Sequence, residues 1–270
     1  MRTYNLGLVV LIGMILITFS SCKKDGWPCK NGDGAIQTEF RNITGFTRID
    51  NEMEAEVYVS QGTEYEVKIE AQQNLLEEVV TEIDGDELQI WSKHCINKHD
   101  PIKVYVTLPT LTQLDLSGSG LAVLTGNITS NSLSLVVSGS GYMQSLDTLF
   151  TDNIQLTVSG SGKVDYLGES RTANAVVSGS GNITMIGRGN ASDTGLQSTL
   201  NLTVSGSGAI MAYDYPVEVC HFTISGSGLG QVNVSTLLQG TISGSGSLMY
   251  MGNPQLDVTI GGSGSVVHVN

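Results

Sequence analysis

The chain has 270 residues, enough to bury a sizeable core, and carries 33 glycines beside only five prolines and five phenylalanines. Its net charge of −13 excludes nucleic acid as a partner, because neutralising phosphates takes clustered Lys and Arg, and no such cluster follows Lys23-Lys24. An unpatterned Gly/Ser excess would mean disorder, but here the glycines recur at fixed places among alternating apolar residues, which reads as turns between strands.

Residues 1–21 read as a targeting segment. Arg2 supplies a positive start, and Leu6 to Phe19 form an apolar stretch too short to span a bilayer comfortably. The segment closes on "FSSC", ending at Cys22. This order of apolar stretch, small residues and cysteine resembles the lipobox of bacterial lipoproteins, where the cysteine is acylated and becomes the new N-terminus. The resemblance implies a lipid anchor at Cys22 and a lipidated tether over 22–35. It also implies an outer-membrane lipoprotein of a Gram-negative envelope, on its surface or its periplasmic face. Lys23-Lys24 could touch anionic headgroups, with acylation supplying most of the attachment.

Three cysteines remain: Cys29, Cys95 and Cys220. The compartment permits disulfides, and Cys29 and Cys95 could pair, although sequence leaves the pairing open. His94-Cys95, His99 and Cys220-His221 are too scattered for a metal centre, which needs ligands in tight pairs. No cofactor is expected.

Residues 36–110 form an acidic, strand-rich region. "AEVYVSQG" and "EYEVKIEA" alternate outward charge with inward Val, Tyr and Ile. "NLLEEVV", 74–80, predicts a single helical turn. "EIDGDELQIW", 82–91, predicts a hairpin around Asp-Gly. The acids stand mostly at outward positions and read as a solvated face.

From 111 to 270 charge thins and a repeat begins. Ser-Gly-Ser-Gly starts at Ser117, Ser138, Ser159, Ser178, Ser205, Ser225 and Ser243, and "GGSG" at Gly261 makes the eighth. The intervals are 21, 21, 19, 27, 20, 18 and 18 residues. Before each turn stands Leu116, Val137, Val158, Val177, Val204, Ile224, Ile242 or Ile260, and two residues after it an apolar residue or, once, Gly230. Period two demands strands on both sides. One such unit cannot bury its own face, whereas stacked units share a continuous core. The expected architecture is an all-β solenoid with eight SGSG-cornered coils. Each coil has two strands, a tight corner and a looser return loop, and the stack rises roughly 34 Å at the spacing of parallel strands. The corner glycines are Gly118, Gly120, Gly139, Gly141, Gly160, Gly162, Gly179, Gly181, Gly206, Gly208, Gly226, Gly228, Gly244, Gly246, Gly262 and Gly264. They are expected to adopt positive φ and to sit where coils stack too closely for a Cβ. Corner serines predict a hydroxyl ladder, and Thr157, Thr203, Thr223, Thr241 and Thr259, two before their turns, an outward stack.

With the SGSG series, the run from Phe40 to Val80, "LQIWS" and "VYVTLPTLTQLDLSGSG" from Val104, the chain resembles the autotransporter-adhesin head domain family. Its members look like pectin-lyase-type β-helices. The resemblance covers about 38–270 and implies a right-handed parallel β-helix in which GSG turns the chain between two sheets. It also implies a role in adhesion at the envelope, and it brings no catalytic residues.

The residues themselves disfavour several chemistries. A nucleophile elbow needs Gly-x-Ser-x-Gly, and the SGSG corners never supply it. A Gly-x-Gly-x-x-Gly loop fails at Met211. Calcium-binding nonapeptides need Asp after the glycines, where this chain has none. A carbohydrate-active β-helix would need carboxylates gathered on one face, but the nine acids from Asp115 to Asp257 occupy different phases of the repeat. Catalysis is therefore not expected.

Recognition is expected at two departures from the repeat. "GRGNASDTGLQST", 187–199, with Arg188, Asn190 and Asp193, should leave the solenoid as a side loop. "MAYDYP" places Tyr213 and Tyr215 at a return loop, where aromatic faces could stack on sugar. Tyr166, Tyr250 and His268 share the inward phase and read as core or end cap. Asp147-Thr148-Leu149 resembles an O-glycosylation acceptor used by some Gram-negative groups. The expected partners are the outer membrane through the anchor, a glycan or protein ligand, and a second copy at the open last coil.

Overall fold

A computed structural model describes residues 29–189 and 197–269. The anchor cysteine Cys22, the lysine pair 23–24, and Asn190 and Asp193 of the insertion lie outside the described residues. Among the described residues no helix is long and apolar enough to cross a membrane.

Strands preceding each corner stack in parallel register as one sheet, and strands following it stack as a second. In the first sheet Gln113–Leu116, Ile128–Val137 and Leu149–Val158 pair in succession, with Leu114, Leu135 and Leu156 in line. In the second, Leu121–Thr125, Tyr142–Ser145 and the start of Lys163–Val177 do the same. Eight corners thus bound about seven full turns of a β-solenoid.

The core follows from the alternation. Leu116, Val137, Val158, Val177, Val204, Ile224 and Ile242 are all essentially buried beside the corners. Where a row carries glycine, a neighbour fills the space: a Cβ on Gly240 would strike the Phe222 ring at 2.7 Å, and one on Gly230 would strike Leu248 at 2.6 Å. Large beside small keeps the interior at close-packed density. Tyr166 is buried and Tyr250 stacks on His268 with centroids 4.9 Å apart, as their phase requires.

The return side differs from expectation. Lys163–Val177, Ala209–Gly226 and Leu229–Gly244 run unbroken from one sheet into the next, so these coils have a bent strand where a loop was anticipated. Coils of near-equal length keep their register around the bend, and the inter-coil ladder satisfies the backbone that a loop would have exposed.

Residues 36–110 are continuous with the solenoid. Arg48–Asn51 lies between Gln113–Leu116 and Glu87–Ser92, and Glu56–Gln61 lies between Leu121–Thr125 and Lys103–Leu108. The chain therefore lays down a coil, builds the next on its outer side, and returns to continue on its inner side. The corner of that first coil is Glu52 to Ala55, without glycine. Asn51, fully buried where later coils have Leu, Val or Ile, accepts the Met53 N–H on its Oδ1 at 3.3 Å. Its side chain thus organises the corner.

Antiparallel strands close this end. Glu66–Gln72 pairs with Lys103–Leu108, Ile36–Arg41 with Glu66–Gln72, and Val79–Asp84 with Glu87–Ser92. The expected hairpin is present, its two-residue loop formed by Gly85 (φ 64°) and Asp86, and the expected helical turn is the 3₁₀ segment Gln73–Leu75. At the other end, the inward residues Leu256 and Ile260 are 49% and 45% exposed.

Candidate functional site

The corners form a ridge whose backbone continues the ladder between coils. Gly139 O accepts from Ser161 N and Gly162 N at 3.2 and 3.1 Å, and Gly160 O accepts from Ser180 N and Gly181 N one coil later at 3.1 and 3.0 Å. The glycines serve close stacking first: a Cβ on Gly160 would stand 2.3 Å from Gly139 O. Positive φ is not general. It occurs at Gly226 (117°), Gly244 (134°) and marginally Gly206 (158°), and at no other corner glycine. The remaining corners turn gently enough for ordinary φ, and there proximity alone excludes side chains. The expected serine ladder is reduced to one contact among corner serines, Ser225 Oγ to Ser205 Oγ at 3.4 Å.

Beside the ridge, the outer face of the first sheet carries two ordered rows. Thr203, Thr223, Thr241 and Thr259 are successive register partners, as expected, whereas Thr157 stands between Val136 and Val176 and does not join the stack. The parallel row runs Gln155, Asn174, Asn201, His221, Gln239 and Asp257, with Asn201 Nδ2 donating to Asn174 Oδ1 at 2.8 Å. From Gln155 to Gln239 these rows contain no Asp, Glu, Lys or Arg, and Asp257 is the first acid.

At the capped end the same face brings together two acids. Asp50 and Asp115 are register partners, and Ser117 Oγ donates to Asp50 Oδ1 at 3.0 Å. Burial, with Asp115, Glu52 and Glu87 adding to it against the Ser117 hydrogen bond, pushes the Asp50 carboxyl up to about 6. Burial also raises Asp115, which accepts from Gln113 Nε2 at 2.6 Å while its Oδ1 is buried without a partner. The phase argument missed this pair because Asp50 lies before the repeat.

Two grooves border the ridge at this end. The larger, about 590 Å³, lies between the 97–102 loop and the first corners. It is lined by Glu54, Glu56, Asn97, Lys98, His99, Pro101, Ile102, Ser119, Leu121, Ser140 and Tyr142 among others. The smaller, about 320 Å³, adjoins it past His99 and includes Trp91 and His94. The loop forming their shared wall is pinned by the Cys29–Cys95 disulfide, which settles the pairing left open by the sequence. Lys30 N donates to Cys95 O at 2.8 Å and Asn97 N to Lys30 O at 2.7 Å. Glu78, buried, accepts from Lys30 Nζ and from His94 Nδ1 (2.7 Å). Burial opposes its ionisation, but these two partners outweigh it and hold the carboxyl below the ordinary glutamate range.

The residues proposed for recognition separate. Arg188 is exposed on Asn182–Gly189 and pairs with Glu169 at 3.1 Å, so it belongs to a strand. Tyr213 stands half-buried on the outer surface of Ala209–Gly226. Tyr215 is fully buried, its hydroxyl 2.6 Å from Ser170 Oγ and its ring against Tyr166. The expectation that it stacks on sugar is therefore corrected. A register shift between Ala212 and Val217 flips the phase and turns Tyr215 inward. Cys220 is fully buried, and burial pushes its thiol up to about 12. Asp147 accepts the Gly126 N–H at 2.7 Å, fixing a turn. Among the described residues no three His, Cys, Asp or Glu side chains are placed to hold a metal ion.

A sequence profile of the family described as "Putative auto-transporter adhesin, head GIN domain" matches residues 45–187 and 182–254. Among solved structures, a "Putative lipid binding protein" from Parabacteroides distasonis superposes with a TM-score of 0.84 at 23% identity, covering 90% of this chain and 100% of its own. A "putative adhesin" from Parabacteroides merdae gives 0.83 at 20% identity, covering 89% and 99%. Another from Bacteroides fragilis gives 0.66 at 17%, covering 89% and 100%. At these identities the likeness is one of fold. No curated protein matches the chain.

Proposed function

The chain belongs to the auto-transporter adhesin head GIN domain family, and from that premise we propose that it is a non-catalytic protein of the cell envelope that displays a rigid solenoid for adhesion. Its ligands would be glycan, matrix or a neighbouring protein. Acylation at Cys22 would hold it to the outer membrane, with residues 22–35 as tether. The observation that carries the reading is the ordered face beside the ridge, where threonines and amides repeat in register over successive coils. Such a surface offers many weak, identical contacts, and multiplied contacts on one rigid body give avidity without a deep pocket.

Protease accessibility on intact cells, with a lysed control and a known periplasmic protein alongside, tests the display. Cleavage of intact cells supports it. Protection until lysis would overturn the adhesive role and leave a periplasm-facing scaffold.

One observation favours a second reading, a carbohydrate-active enzyme: the adjacency of Asp50 and Asp115. A retaining or inverting mechanism needs one carboxylate ionised while the other holds its proton, on either side of a bound sugar. Here burial raises both, they sit side by side on one sheet face, and neither lines the two grooves described above. Glycan turnover that disappears in Asp115→Asn would restore the enzymatic reading.

A further inference from the structure

The larger groove has the features of a saccharide cleft, and no recognition role has yet been given to the residues that line it. We propose that it binds one or two residues of an uncharged glycan, with Tyr142 as the platform and Glu54, Glu56, Asn97 and His99 as hydrogen-bonding groups. This rests on the adhesive reading above and gives it a defined site.

Size comes first. About 590 Å³ falls within the range of small-molecule clefts, roughly 300–1,000 Å³. The wall is also rigid. Besides the disulfide and the Lys30 bonds, Gly32 N donates to Lys98 O at 2.8 Å, and Asp100 N donates to Gln72 Oε1 at 3.0 Å. A wall fixed before binding spares the ligand the entropy of ordering it.

The lining pairs an apolar platform with planar polar groups. The Tyr142 hydroxyl lies 2.6 Å from Asp165 Oδ2 and 3.0 Å from Gln144 Oε1, so its hydrogen bonding is satisfied within its own sheet. Lys163 Nζ sits 5.2 Å from the ring centroid on the side of the next coil. What Tyr142 offers the groove is ring surface, beside its register partner Leu121 and with Pro101 in the same lining. The C–H face of a pyranose matches such a surface, because an aromatic ring buries apolar area at low entropic cost.

The polar groups suit hydroxyls. His99 Nδ1 lies 2.7 Å from Asp100 O and, facing a carbonyl, donates to it, which leaves Nε2 for a ligand hydroxyl. Glu54 accepts, as does Glu56, whose Oε2 already takes the Tyr58 hydroxyl at 2.9 Å, and Asn97 does both. Charge argues against an acidic ligand: Glu54 and Glu56 stand in the lining with Lys98, the nearby Lys103 and Lys163 are already paired with Glu56 (3.8 Å) and Asp165 (2.7 Å), and the chain carries a net charge of −13. The floor at Ser119 and Ser140 opens along the ridge, so a longer chain could leave the cleft over successive corners.

The test uses the full-length protein with malto-, cello-, manno- and N-acetylchito-oligosaccharides as uncharged probes and oligogalacturonate as the acidic one. Binding is read by calorimetry. At least one uncharged probe should bind, and the acidic one should not. Tyr142→Ala should weaken that binding about tenfold or more, the loss of one well-packed anchor. Tyr142→Phe, which keeps the ring, should retain affinity within about threefold. A thermal melt identifies any Tyr142→Ala protein that has lost its fold, and Pro101→Gly then serves as the second probe of the wall. Equal binding by Tyr142→Ala and wild type, or preference for the acidic probe, overturns the cleft while leaving adhesion elsewhere on the solenoid. Wild type that binds no sugar yet still adheres to matrix protein does the same. Protection of the solenoid in intact cells would instead defeat the adhesive reading itself.

Discussion

Asp50 and Asp115 stand 65 positions apart in the chain and are direct register partners on neighbouring parallel strands. Folding places both carboxyls where burial disfavours their charge, and the cost is readable as a dependence of stability on pH.

For Asp50 the native value is about 6 against an ordinary 3.8. An acid raised on folding favours the folded state when protonated. Its contribution is full below about pH 4, declines as pH rises through the interval between the two values, and is then lost. Because Asp50 is half exposed, solvent screening reduces the effect to about 1 kcal/mol. Asp50→Asn keeps an acceptor for Ser117 and should raise Tm by about 2 °C at pH 8, with no gain at about pH 3.5. Paired thermal melts check this. Equal shifts at both pH values would mean that charge is not the cause.

Glu78 should behave in the opposite sense. Its carboxyl is held low by Lys30 and His94 despite burial, so its contribution is present above the ordinary glutamate range and is lost as pH falls through its native value. Glu78→Gln should cost about 1–2 kcal/mol at pH 7 and much less under acid conditions. Urea unfolding at the two pH values measures the difference.

A corner glycine and the glycine that replaces a corner serine in the last repeat should respond differently. Gly160→Ala puts a Cβ 2.3 Å from Gly139 O and must break the ladder locally, costing about 3 kcal/mol. Gly261→Ala meets nothing nearer than Ile242 O at 3.8 Å and should change stability by less than about 0.5 kcal/mol. Denaturant midpoints of the two variants decide whether stacking proximity governs these positions.

Removing the disulfide should loosen the groove wall. Cys29 and Cys95 are separated by 66 residues, for which loop-closure entropy gives about 4 kcal/mol as an upper estimate. Cys95→Ser should lower stability by about 2–4 kcal/mol. It should also speed hydrogen exchange at Lys30 and Asn97, whose amides the wall holds. Unchanged exchange there would show that the hydrogen bonds alone fix the loop.

Much of this was legible in the chain. Alternation around SGSG is a local pattern, and a period-two pattern that cannot bury itself leaves stacking as its only outlet. Hence the two sheets, the inward Leu116-to-Ile242 row and the outward threonines could be read residue by residue. Tyr215 could not, because a single register shift after Ala212 reverses the phase on which such a reading depends. Nor could the pairing of Asp50 with Asp115, since no repeat marks the first coil. Its corner is organised by Asn51 where later corners use glycine.

By itself the sequence determined the repeat: coil length, corner position, inward face, and an N-terminus that resembles a lipobox. These depend on neighbours within a few residues, where alternation and turn chemistry act. Only the tertiary structure decided how the capped end is built. The strand Arg48–Asn51 is enclosed between Glu87–Ser92 and Gln113–Leu116, and the disulfide-held loop is set against the first corners to make a groove. Those contacts join residues tens of positions apart, and no local pattern announces them. They form because the first coil has an open edge on each side, and burying both edges leaves the chain no choice but to double back.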